Sequence, residues 1–213
     1  MASPILSQRT YRLTQIPHGT TVEEVEKSFP LDVRDTIERL SLARCADPTA
    51  AGEQVSTVTF KTEPSFLASL SYKFGSLLSA LVENIHPKLS RVWIDAHFHG
   101  FTPLNNPTDE TATVHIIALT GLGGKAFASW QCYDGSMWLR DHAPVDIPNC
   151  LISIYGYSSD VGNTDSISTL SEMAESFVLD LTNYAASGAL GDKVVNQFAL
   201  TEAGAYNIDA RWL

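Results

Sequence analysis

Two apolar runs late in the chain constrain the fold most. Residues 114–119 read VHIIAL and residues 151–157 read LISIYGY. Neither alternates cleanly, so neither suits a strand with one wet face. Such runs suit strands covered on both faces, as in a parallel sheet. The first run ends in the Gly-rich turn TGLGG, and the second follows the turn Pro148-Asn149-Cys150. A loop rich in Ser, Asp and Gly then leads to Thr169, which caps with Glu172. Leu170, Met173, Phe177, Leu181 and Tyr184 mark one face of a helix that Gly188 ends.

The first half reads differently. TYRLTQIPH, residues 10–18, is a strand ending at Pro17. Thr20 and Thr21 each have Glu three residues on, a capping box for a helix carrying Val22, Val25 and Phe29, which Pro30 stops. Ile37, Leu40 and Leu42 suggest a second strand, and QVSTVTF, ending at Phe60, a third. Residues 66–85 predict a long amphipathic helix, with serines on one side and Leu70, Phe74, Leu77, Leu81 and Ile85 on the other. A sharper reading puts that helix on a membrane surface. Residues 91–98 give a fourth strand. The order β-α-β-β-α-β predicts a small α+β sandwich over residues 9–104. Residues 102–113, with Pro103, Pro107 and two Asn, read as a linker.

The chain has 213 residues, too few for a complete TIM barrel of about 250. Charge is 14 − 24 = −10, so the basic footprint of nucleic-acid binding is missing. The N-terminal domain resembles the RNA recognition motif in order and spacing, yet Arg12 stands where that family stacks a base on an aromatic residue. Nucleic acid is therefore not an expected partner. Three cysteines form no CxxC pair and predict reduced thiols. No signal peptide precedes the first strand, so secretion is not expected.

Three constellations could carry chemistry. In Asp95-Ala96-His97-Phe98-His99, strand alternation would point both imidazoles at one metal. The further ligands such a site needs are not evident downstream, so no metal is expected. Gly121, Gly123 and Ala126 match G-x-G-x-x-A, but the acid at the right spacing, Asp141, lies before Pro144 rather than at a strand end. Lys125 is followed by Ala126, which fails the phosphate loop. No cofactor is expected. The third reading fits best: glycines in the turn let backbone N–H groups approach a developing oxyanion.

That turn, with Phe127 and Trp130 behind it, then MWLRD, PVDIPNC and ISIYGYSS, resembles the lipase-like, serine-active-site-containing esterases among the α/β-hydrolases. The resemblance covers residues 111–185, and IDAHFHGFTPLNNP resembles the lead-in segment of fungal members. It implies a partial α/β-hydrolase over 111–188, with an oxyanion loop of Gly121, Leu122, Gly123 and Gly124. Leu122 would supply the N–H, and Thr120 replaces a histidine that the family often has there. It also implies a lipid or ester substrate in a complete protein, and a place at mitochondrial or endoplasmic-reticulum membranes.

The nucleophile is missing. The fold wants G-x-S-x-G after the next strand, then an acid, then His. No G-x-S-x-G occurs, and His115 and His142 precede any possible elbow. No catalytic residue can be named, and whether the chain is an enzyme stays open. Residues 189–213 diverge from the pattern, as a retained intron, a frame change or a truncated gene model would give. A non-enzymatic module that binds a protein or membrane surface is the alternative.

Overall fold

The structure is a computed structural model that describes residues 10–45, 52–68, 70, 75–83, 85–106, 114–121, 123–132, 134–157, 170–186 and 196–200. It is a mixed α+β chain with two sheets. Strand β1 (Thr10–Pro17) is followed by helix α1 (Val22–Lys27), whose capping box forms as expected. Thr21 Oγ1 accepts the Glu24 N–H while the Glu24 carboxylate accepts the Thr21 N–H. After Pro30 comes one further turn, α2 (Leu31–Arg34), then β2 (Ile37–Arg44) and β3 (Glu53–Phe60).

Among the described residues of 66–85, the expected long helix is not found. A two-residue strand, β4 (Ser76–Leu77), leads into a single turn, α3 (Leu78–Leu81). Serine and Gly75 weaken helix propensity there. What replaces the helix is edge pairing with β5 (Trp93–Asp95): Ser76 lies opposite Ile94 and Leu77 opposite Trp93. Gly75 permits it, since a Cβ there would sit 2.1 Å from Trp93 Nε1. The membrane-surface reading loses its helix with this. No helix among the described residues is long and apolar enough to cross a membrane.

The first sheet has the order β2-β3-β1-β5-β4, with every pairing antiparallel. One face is apolar. Tyr11, Leu13, Val58, Phe60 and Ile94 pack there on Val25 from α1 and on Phe29 just after it. The other face is polar and still buried, with Thr10, Arg12, Thr57, Thr59 and Asp95.

The second sheet comprises β6 (Gly100–Pro103), β7 (Val114–Leu119), β8 (Cys150–Gly156) and β9 (Asn196–Leu200), in the order β6-β8-β7-β9. β6 runs antiparallel to β8, while β7 is parallel to both its neighbours. Both apolar runs are therefore strands parallel to each other, and β8 has an antiparallel neighbour on its other side. β6 lies within the 9–104 span yet pairs here. β9 lies in the tail, where sequence reading finds no strand.

Between β7 and β8 stand the one-turn helices α4 (Trp138–Asp141) and α5 (Ala143–Asp146); between β8 and β9 stands α6 (Leu170–Ala186). β8 and β9 flank β7 on opposite sides. Two crossovers of the same right hand must then cover opposite faces. The packing agrees. Ala118, Ile152 and Ile154 meet Phe127, Met137, Leu139 and Ala143 on one face. On the other, Tyr155 meets Phe177, and His115 meets Tyr184, both from α6.

The polar face of the first sheet is covered by the chain that follows it. Arg140 Nη1 donates to Thr59 Oγ1 at 2.9 Å, and Gln131 Nε2 to Thr10 Oγ1 at 3.3 Å. Arg12 forms a buried ion pair with Asp95 at 2.9 Å and donates to the His99 carbonyl at 2.7 Å and Thr102 at 3.0 Å. Arg12 is thus the bolt between the sheets. The face on which an RNA recognition motif stacks its bases is occupied.

Candidate functional site

The sheet topology selects one end of the molecule. β7 and β8 are adjacent and parallel, and their following segments leave over opposite faces. Ligands of open α/β sheets bind at the carboxyl ends of such strands. Two segments meet there: the turn after Leu119 and the residue after β8, Tyr157. The Tyr157 hydroxyl donates to the Thr120 carbonyl at 2.7 Å, tying the two together. Burial raises the Tyr157 phenol above its ordinary pKa, which keeps it a donor.

The turn is built from its glycines. Gly123 has φ 76°, a left-handed conformation with open space around it. Gly124 is required for a different reason: a Cβ there would lie 2.9 Å from the Gly121 carbonyl. Its N–H donates to that same carbonyl at 3.0 Å. Ser129 closes the loop, its Oγ accepting the Lys125 N–H at 3.1 Å and its N–H reaching the Lys125 carbonyl at 3.0 Å. Gly124 and Lys125 therefore spend their amides inside the turn. Gly123 makes no hydrogen bond among the described residues. Leu122, the expected oxyanion donor, lies outside them, as do Ser158 and Ser159.

The competing phosphate readings lack geometry. The turn leads into a single 3-10 turn, Ala128–Trp130, not a long helix whose N-terminus could hold a phosphate. Asp141 is not at a strand end. It sits in α4, its carboxylate accepting from Arg140 at 2.8 Å and from the Met137 N–H at 2.8 Å, with Arg39 at 3.4 Å. Burial pushes its pKa up, but these donors and charges outweigh that and leave it low.

The Asp95–His99 segment is not the alternating strand that metal binding would use. β5 ends at Asp95, and Phe98 turns into the left-handed region at φ 54°. Asp95 Oδ1 accepts the Phe98 N–H at 2.9 Å, and Oδ2 faces Arg12. The His97 and His99 rings lie 4.3 Å apart, and His97 Nδ1 accepts the His99 N–H. Burial holds His97 below its ordinary pKa, although the Asp95 charge opposes this. Among the described residues no group of three or more His, Cys, Asp or Glu could hold a metal ion.

No family model, curated protein or solved structure matches this chain.

One contact was not anticipated. His115 Nε2 lies 3.1 Å from Ser153 Oγ, on the face under α6. The pair resembles a base beside a nucleophile. Ser153 is 0% exposed, however, and lies opposite Ile117, four residues before Gly121. At roughly 3.3 Å per residue, that is about 13 Å from the turn. Strand alternation places both side chains on one face, but only the β7–β8 register, which sequence alone does not fix, brings them together.

Proposed function

We propose that this chain carries the oxyanion side of a serine-esterase-like α/β-hydrolase and, in its 213 residues, no nucleophile of that fold. The observation that carries the reading is the register of β7 with β9. Leu119 pairs with Leu200 in parallel, so the Gly turn begins beside the carboxyl end of β9. Neighbouring strands are about 4.8 Å apart. In this fold an oxyanion N–H comes from the turn after one strand, and the nucleophile stands on the turn after another. An antiparallel strand at one edge and two crossovers over opposite faces support the same reading.

After β9 the sequence reads TEAGAYNIDARWL, with no G-x-S-x-G. A carbonyl placed at the turn would be polarised with nothing to attack it. Loss of nucleophile and base together removes on the order of a millionfold in kcat. An ester or lipid substrate belongs to a protein that supplies the elbow as well.

The test is fluorophosphonate labelling with turnover of a short-chain aryl ester. No labelling and no turnover above buffer are expected. Stoichiometric labelling of Ser158 or Ser159, with turnover abolished by the matching Ser→Ala change, overturns the proposal. Labelling confined to a longer chain that carries elbow, acid and histidine supports it.

A further inference from the structure

The buried histidine under α6 belongs to no catalytic arrangement, and its setting has a consequence of its own. α6 seats on the second sheet through aromatic contacts. Tyr184 stacks on Phe101 at 5.0 Å, and Phe177 meets Tyr155 edge-on at 4.8 Å. His115 lies in the same seat, its ring 5.2 Å from that of Tyr184. It is 9% exposed, and its Nδ1 is buried without a hydrogen-bond partner among the described residues. Nε2 is engaged by Ser153.

Among the described residues, none of the groups that β8, α6, β6 and β9 bring is ion-paired with His115. From β8 come Ser153 and Tyr155, both uncharged. From α6 come Tyr184 and Asp180, and the Asp180 carboxylate accepts the Tyr155 hydroxyl at 2.7 Å. β6 contributes Phe101. On the other side, β9 places Asn196 opposite His115 in the ladder. Among the described residues no carboxylate pairs with His115. A proton added to this ring is a buried cation with one donor unmet.

We propose that His115 makes the seating of α6 acid-labile, so that the helix is released when the imidazole takes up a proton. The sign follows from burial, which pushes the seated His115 pKa down to about 4. A released histidine has a pKa near 6.5. The released state therefore binds more protons between those values. Seating is complete above about pH 6.5 and is lost as pH falls toward 4, about tenfold per pH unit. Because α6 connects β8 to β9, its release loosens the strand beside the Gly turn.

Two measurements on the whole chain test this. An NMR titration of His115 is expected to show a midpoint below pH 5, and a midpoint at 6 or above overturns the proposal. Amide exchange, corrected for intrinsic rates, is expected to rise about fivefold over α6 between pH 6.5 and 5.5, with little change over β3. In His115→Gln that rise should vanish. A rise that persists in His115→Gln, or that is equal over β3, contradicts a local release. If His115→Gln does not fold, the titration of the unaltered chain decides.

Discussion

Gly156→Ala is expected to destabilise the chain by about 3 kcal/mol, the upper end of the usual cost of overpacking. A Cβ at this position would lie 2.0 Å from the Phe98 carbonyl oxygen and 2.9 Å from Ala126 Cβ. The first of these is backbone and cannot swing aside. Phe98 is itself held in place, with its N–H on Asp95 and its ring stacked on Phe127 at 5.1 Å. Gly156 also pairs with Gly100 in the ladder and bridges to His99. Relieving the clash would therefore move the junction between the two sheets. Gly123→Ala is the control, because its space is open and only the backbone strain of φ 76° is felt, about 1 kcal/mol. Urea denaturation of both variants checks this. If Gly156→Ala unfolds within 1 kcal/mol of the unaltered chain, the close approach does not exist.

The second large effect belongs to the bolt between the sheets. Asp95→Ala leaves Arg12 buried at 7% exposure with its charge uncompensated. Breaking a buried pair by removing one partner costs about 3–5 kcal/mol. Replacing both, as Arg12→Met with Asp95→Leu, removes the stranded charge and should cost less than Asp95→Ala alone. The His99 carbonyl and Thr102 hydroxyl lose a donor in the double variant, so some cost remains. Equal or greater loss in the double variant would mean that the ion pair itself does not govern the junction.

Local chemistry was the readable part of this sequence. Thr21 and Glu24 announce a cap because capping needs only residues three apart. VHIIAL and LISIYGY announce doubly covered strands because burial on both faces leaves no polar alternation. Non-local partners were not readable. Residues 66–85 carry helical periodicity, and only the pairing of Ser76 and Leu77 with Ile94 and Trp93, with Gly75 leaving room for the Trp93 ring, turns part of the segment into an edge strand. β9 has little pattern of its own and is placed by pairing with β7.

The candidate site shows the same division. The glycines of the turn were evident, since a tight backbone path requires them at Gly123 and Gly124. The Tyr157–Thr120 clamp and the His115–Ser153 pair were not, since each spans a register that pattern leaves undetermined. Strand alternation misplaced His97 and His99, because Asp95 draws the Phe98 N–H into a turn before the alternation can continue.

The functional account stands on β7 lying between β8 and β9, both parallel to it. Interstrand NOEs on the labelled chain test this most directly. The account predicts parallel contacts from Ile116 and Ala118 to Ile152 and Ile154 on one side, and to Gln197 and Ala199 on the other. Contacts to Ile152 and Ile154 with none to residues 196–200, or an antiparallel pattern there, would contradict it.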